Sequence, residues 1–160
     1  MDQRVSPAQH PLMGGRLEGV QLTALRQIDS PGGRVMHGLK ASEETFHGFG
    51  EAYFSSIEQG QVKAWKRHRR MVCNLVVPVG SIRLQLFDDR VDSASNGQWQ
   101  QELLGPDNYL RLTIPAGLWF GFEGLAAGLN LMLNLASVEH DPTEAETRPV
   151  ADPRFQHSGW

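Results

Sequence analysis

Gly60-Gln-Val-Lys63-Ala-Trp-Lys66-Arg-His68-Arg-Arg-Met-Val-Cys73-Asn-Leu-Val-Val-Pro-Val-Gly80 decides how the rest of the chain is read. It begins and ends on glycine, places six cationic or titratable side chains within eight residues (63–70), then runs into an apolar, β-rich stretch. Basic chemistry on a strand that continues into a buried strand is the pattern of a site lining a small β-barrel. Strict alternation puts Val62, Ala64, Lys66, His68 and Arg70 on one face and Lys63, Trp65, Arg67 and Arg69 on the other.

Outward from this stretch the chain reads as strand after strand. Ala52–Ile57 and Gln61–Trp65 flank the turn Glu58-Gln59-Gly60, and Met71–Val77 with Ser81–Phe87 around Pro78-Val79-Gly80 reads as a hairpin. Ile82, Leu84 and Leu86 alternate with Arg83 and Gln85, the period-two signature of a strand. Trp99–Leu104, Tyr109–Ile114, Leu118–Glu123 and Leu129–Ala136 complete the series. In the last of these Leu129, Leu131, Leu133 and Leu135 share one face, expected between sheets, and Asn130, Met132 and Asn134 share the other, expected at a polar cavity. Toward the N-terminus, Gly19–Leu25 and Arg34–Leu39 are short strands either side of the turn Ser30-Pro31-Gly32-Gly33, and Ser42 caps one helical turn over Ala41–Phe46. Asp141 to Glu146 is a weak helix start. The sum is an all-β jelly-roll or sandwich with little helix.

The chain of 160 residues is read as one domain (1–160), with a loose N-terminal arm over 1–18 and an irregular tail over 137–160. A formal charge of −3 argues against a general nucleic-acid partner, and no apolar run reaches the length of a membrane span. Met1 to Arg16 holds no apolar core of signal-peptide length, and the single cysteine, Cys73, excludes an intrachain disulfide. Both point to the cytoplasm.

Gly60 to Gly80 is spaced like the first motif of the cupins: glycine, five residues, ligand, one residue, ligand, four residues, ligand, six residues, glycine. Here the slots hold Lys66, His68 and Cys73. Pro115-Ala-Gly117-Leu-Trp-Phe120 resembles the second motif with Phe120 in the histidine slot, so neither metal nor other cofactor is expected. Over roughly Gly19 to Asp152 the chain resembles the metal-free dTDP-4-dehydrorhamnose 3,5-epimerase family. Lys63-Ala-Trp-Lys66 is similar to that family's Arg-Gly-Leu-His, Ile114 to Phe122 to its Ile-Pro-Glu-Gly-Phe-Ala-His-Gly-Phe, and Asp141-Pro142 with Glu144 or Glu146 to its Asn-Pro-x-x-Glu. The resemblance implies a cupin-type jelly-roll barrel, a homodimer, and an epimerase or isomerase acting on a nucleotide-linked 4-keto-6-deoxy sugar in deoxysugar or cell-surface polysaccharide biosynthesis. It places the family's base at Lys66, its tyrosine at Asn134, an aromatic position at His140, the base's carboxylate partner at Asp152 and a phosphate-binding arginine at Arg34.

The residues leave each role open between alternatives. Lys66 is a general base or a contact to a ligand anion, His68 is a base or a hydrogen-bonding pocket residue, and His140 is the remaining proton donor. Lys63 and Arg70 suit a diphosphate clamp, Asn130 and Asn134 sugar hydroxyls or one another, and Trp119 and Phe120 stacking on substrate or aromatic packing. The competing functions are an epimerase, a catalytically inactive sugar-nucleotide or carbohydrate-binding cupin, and a metal-free sensor.

Overall fold

The computed structural model describes residues 16–160, so most of the expected N-terminal arm lies outside the described residues. Twelve strands follow one another: β1 (Gln21–Ala24), β2 (Gln27–Ser30), β3 (Gly33–Met36), β4 (Glu51–Ile57), β5 (Val62–His68), β6 (Cys73–Val79), β7 (Ile82–Phe87), β8 (Trp99–Leu104), β9 (Leu110–Ile114), β10 (Trp119–Gly124), β11 (Asn130–Ala136) and β12 (Ala145–Thr147). The helical residues described are one short 3₁₀ turn, Pro153–Phe155. Two five-stranded sheets, ordered β1-β9-β6-β11-β4 and β12-β5-β10-β7-β8, face each other, and β2-β3 forms a separate two-stranded hairpin. Strand pairings are antiparallel throughout. Between the sheets lies a core of Cys73, Leu75, Val77, Ile82, Leu84, Leu86, Leu112, Ile114, Phe120, Phe122 and Met132. This is the jelly roll of a cupin.

The hairpin expected at Pro78-Val79-Gly80 does not form. β6 pairs with β9 and β11 in one sheet, while β7 pairs with β8 and β10 in the other. The turn is a corner at which the chain changes sheets. Gly80 takes a φ of +83° there, and a Cβ on it would meet the Leu129 carbonyl oxygen at 2.4 Å. Both β6 and β7 become central strands; β6 reads as nearly continuous apolar sequence, while β7 keeps its period-two alternation.

On β11 the leucines do not lie between the sheets as expected; the asparagine side does. Asn130, Met132, Asn134 and Ala136 are the buried side, and Leu131, Leu133 and Leu135 are half-buried outside. Asn130 can be buried because its amide is fully bonded, and Asn134 because its Nδ2 donates to Tyr53 Oη. Asn130 accepts from Ser81 N–H (2.9 Å) and Ala126 N–H (3.1 Å) and donates to Ile57 O and Ala126 O. On the outer side, the loop after β3 is pinned by the fully buried Arg111, which donates to Gly38 O and Thr45 Oγ1, both at 2.6 Å, and pairs with Glu43. With Glu43 and Thr45 committed to Arg111, residues 41–46 form two turns instead of the expected helical turn. The expected helix start at 141–146 is likewise a turn leading into β12.

The outer face of the second sheet carries a separate aromatic cluster. Trp65, Trp119 and Phe155 are at most 1% exposed, with Phe87, Trp99 and Trp160 packed around them. Trp65 stacks on Phe155 at a centroid distance of 4.6 Å, so the 3₁₀ turn and the C-terminal residues are bound into the fold by aromatic contacts.

Candidate functional site

The site begins with an irregularity in β5. Phe120 of β10 sits opposite Lys66 and Phe122 sits opposite Lys63, so Ala64 and Trp65 together oppose Gly121. Two residues against one is a β-bulge, and it resets the alternation. Lys63 therefore moves to the face of Lys66 and His68, toward the side where Phe120 and Phe122 join the inter-sheet core. Val62 takes the outer side opposite Glu123, and Trp65 and Arg67 lie on the aromatic side. The strict alternation expected from sequence holds from Lys66 to His68 and fails before it.

His68 and Glu144 are both almost wholly buried, and His68 Nδ1 bonds Glu144 Oε1. Glu144 Oε2 also faces the backbone N–H groups of Arg69 (3.2 Å), Arg70 (3.1 Å) and Met71 (3.3 Å). Burial opposes ionisation of Glu144, but the bond from His68 and the backbone N–H donors outweigh it and hold the carboxyl below the usual range. Burial likewise lowers the imidazole of His68; the Glu144 bond and charge work against that, and the net direction is downward. The ring is thus neutral near pH 7, with its Nδ1 hydrogen directed to Glu144 and Nε2 free to accept a proton. Lys66 lies one inward position away. Its charge acts on both His68 and Cys73, and it has no hydrogen-bond or ion-pair partner among the described residues. The Cys73 thiol is pushed up to about 12 by burial, so it is an uncharged filler beside the site.

The opposite wall is β4 and β11. Glu51, Tyr53 and Ser55 alternate inward along β4, while Ala52, Phe54 and Ser56 are exposed. Tyr53 lies opposite Asn134 in the β4–β11 register, and Asn134 Nδ2 donates to Tyr53 Oη at 3.0 Å. At the Lys63 end an open cleft of about 660 Å³ is lined by Ser56, Glu58, Gln61, Val62, Lys63 and Leu129. There Lys63 Nζ reaches Ser56 O at 2.9 Å.

Of the residues singled out from sequence, Lys66, His68, Phe120 and Asn134 come together between the sheets, Lys63 lines the open cleft and is exposed, and His140 lies exposed near His68 and Asp141. The others stand elsewhere. Trp119 is fully buried on the outer face of β10, with Nε1 bonded to Asp89 (2.9 Å) and the Arg67 guanidinium 4.5 Å from its ring centroid. Asp152 caps the 3₁₀ turn by accepting from Arg154 N–H, so the carboxylate on the imidazole is Glu144 instead. Asn130 is a corner lock with its amide fully used. Arg34 is on the β2–β3 hairpin, bonded to Gln27 and Asp29. Arg70 is exposed, 3.6 Å from Asp141, and Arg67 and Arg69 pair with Glu146. The basic cluster is therefore mostly neutralised on the outside, leaving Lys66 inward and Lys63 exposed at the cleft. Two residues were missed. Tyr53 had only the alternation of β4 to signal it, and Glu144 only its place after Asp141-Pro142. Among the described residues no group of three His, Cys, Asp or Glu side chains is arranged to hold a metal.

A cupin barrel with a buried histidine–carboxylate pair facing a phenol across the sheets defines a class suited to proton transfer on a bound small molecule. No family model matches the chain. A dTDP sugar isomerase of Desulfovibrio desulfuricans G20 superposes with a TM-score of 0.85 at 41% identity, covering 88% of this chain and 90% of that one. A probable low-salt glycan biosynthesis epimerase of Haloferax volcanii is 31% identical over 91 residues, 56% of this chain and 58% of that protein's length. The dTDP-6-deoxy-D-glucose-3,5-epimerase of Legionella pneumophila, solved with dTDP-4-keto-L-rhamnose, shares the fold at a TM-score of 0.78 and 17% identity, covering 90% of this chain and 80% of that one. The chain belongs to the dTDP-4-dehydrorhamnose 3,5-epimerase-like family of sugar-nucleotide cupins.

Proposed function

We propose that the protein epimerises a ring carbon beside the ketone of a nucleotide-linked 4-keto-6-deoxy sugar, with dTDP as the nucleotide, for glycan or polysaccharide assembly. The observation that carries this is the buried His68–Glu144 pair with Lys66 one inward position away. A hydrogen alpha to a ketone is lifted only if a neutral base reaches it and the enolate oxygen meets positive charge. His68 Nε2 supplies the first and the Lys66 ammonium the second. The glycan-epimerase relative and the dTDP-sugar structures support the substrate class. In deuterated water with a dTDP-4-keto-6-deoxyhexose, wild type is expected to place deuterium on a ring carbon next to the ketone, read by NMR. Nucleotide binding with no exchange at high protein concentration would favour the alternative, an inactive sugar-nucleotide-binding cupin, for which Asn134 at the family's tyrosine position speaks.

Lys63 is assigned to the diphosphate, because the bulge turns it to the face of Lys66 and it stands exposed at the wall of the 660 Å³ cleft. Losing a charge-assisted bond of about 1.5–3 kcal/mol predicts roughly 10- to 100-fold weaker dTDP binding for Lys63→Ala, by calorimetry. Equal affinity would remove the assignment. The functional unit is a homodimer, which the exposed apolar residues Phe54 (63%), Val35 (54%) and Leu129 (55%) support. Light scattering is expected to return twice the chain mass, and a monomer at micromolar concentration would exclude it.

A further inference from the structure

We propose that Tyr53 is the proton donor of this reaction, delivering its phenolic hydrogen to the face of the substrate carbon opposite His68; the assignment rests on the epimerase reading above. Inverting a stereocentre through an enolate requires removal of a proton from one face and its return to the other. The two walls of the cavity belong to different sheets. His68 is on β5 of one, and Tyr53 is on β4 of the other, with the cavity-facing Asn134 beside it on β11. The Asn134 amide that reaches Tyr53 Oη also lies 3.6 Å from Cys73 Sγ and 3.9 Å from Met71 Sδ, and Met71 N–H faces Glu144 at 3.3 Å, which places the phenol at the His68 end of the gap and not at a distant point along the barrel.

The bonding around the phenol fits a donor. Asn134 gives its amide hydrogen to Tyr53 Oη, so the phenolic hydrogen is not spent on that neighbour and is free for the cavity. Burial raises the phenol above its ordinary value and keeps it protonated, while the Asn134 bond acts in the opposite direction by favouring the anion. The same N–H would stabilise the phenolate left after transfer. Asn134 Oδ1 is buried with no partner, an acceptor beside the phenol for a substrate hydroxyl. The rival donors are less well placed. Cys73 is fully buried and Ser55 is two residues further along β4. His140 is exposed beyond the end of β11.

The step balances. His68 Nε2 takes the proton from the carbon beside the ketone, the C–H electron pair forms the enolate, and its negative charge rests on the oxygen near Lys66. The enolate carbon then takes the proton of the Tyr53 hydroxyl on the opposite face, restoring the ketone and leaving imidazolium and phenolate. Loss of a proton from His68 to solvent and uptake of one by Tyr53 reset the site. No oxidant or cofactor enters.

The test separates abstraction from delivery in deuterated water with dTDP-4-keto-6-deoxyglucose. Tyr53→Phe is expected to keep deuterium exchange into recovered substrate within about tenfold of wild type while epimer formation falls about 10²- to 10³-fold. Asn134→Leu, which leaves the phenol but removes the donor to its oxygen, is expected to shift the same ratio by about tenfold. Epimer formation by Tyr53→Phe at the wild-type rate would overturn the proposal, as would a variant that binds dTDP normally yet loses exchange and epimer together. So would the reverse pattern, with His140→Gln losing epimer and Tyr53→Phe retaining it. Wild type that neither exchanges nor epimerises removes the epimerase reading and this assignment with it, whereas exchanging wild type with an unaffected Tyr53→Phe removes the tyrosine alone.

Discussion

Replacing His68 with Asn is expected to lower kcat for ketosugar epimerisation by about 10²- to 10⁴-fold, the usual contribution of a positioned general base, and to abolish solvent exchange at the ring carbon. Glu144→Gln tests the same pair from the other side. The Glu144 bond and charge raise the imidazole against the burial that lowers it. Without them the ring falls further below its ordinary 6.5 and becomes a weaker base. The acid limb of kcat/KM, already below 6.5 in wild type, is expected to move to lower pH as the plateau drops. A limb that stays in place would show that Glu144 acts only through the loop it organises. Stability follows the same signs. Both folded-state values are lowered, so the unfolded chain binds more protons. The His68 contribution fades as pH falls below 6.5, and the Glu144 contribution fades below 4.5. Urea midpoints between pH 7 and pH 4 are expected to decline for wild type and to decline less for the double substitution.

The positions of the strands were legible because turn chemistry and period-two patterning are local. Ile82–Phe87, Trp99–Leu104 and Leu110–Ile114 lie within a residue or so of where their sequence puts them. Partnership was not legible in the same way. Pro78-Val79-Gly80 looks like a hairpin turn whether the next strand folds back beside its predecessor or crosses to the facing sheet. What decides is the whole barrel, in which β6 and β7 each need partners on both sides. The leucines of β11 illustrate another limit. Apolar side chains usually mark the inner face, yet here bonded asparagines occupy it, and their partners, Tyr53 and the Ser81 corner, are far away in sequence.

The site divides along the same line. Lys66 and His68 stand out because the cupin spacing is contiguous, and Glu144 was visible only as part of a motif without a role. Tyr53 carried no motif, since its meaning comes from lying across a ladder from Asn134. The position at which the resemblance places the family's tyrosine holds an amide, and a phenol stands one strand over with its oxygen bonded to that amide. The base side shows a parallel displacement. Lysine occupies the expected base position, and the imidazole is two residues on, facing the same way because β5 alternates regularly from Lys66 to His68.

Gly121→Ala is expected to destabilise the fold by about 2–3 kcal/mol, a fall in Tm of roughly 5–10 °C, and to reduce epimerisation by more than the stability loss accounts for. The added Cβ would lie 2.4 Å from Ala64 Cβ and 2.8 Å from the Trp160 ring. Trp160 can swing, but Ala64 Cβ is fixed to the backbone of the bulge, so β5 itself must move. The bulge is what places Lys63 and Lys66, three residues apart, on one face. Pushing it out, or relaxing it into regular pairing, turns Lys63 away from the face of Lys66 or shifts Lys66 from the position proposed to meet the enolate oxygen. A displacement of about 1 Å at such a group costs on the order of 10²-fold in rate. Gly33→Ala is the matched control. Its Cβ meets nothing within 4 Å, and it is expected to change stability by no more than about 0.5 kcal/mol. If Gly121→Ala loses stability but keeps kcat and dTDP affinity at a temperature where it is folded, the bulge is a packing feature and the proposed roles of Lys63 and Lys66 do not depend on it. If both fall together, the chemistry of β5 depends on a glycine in β10, which no reading of the Gly60–Gly80 stretch alone can reveal.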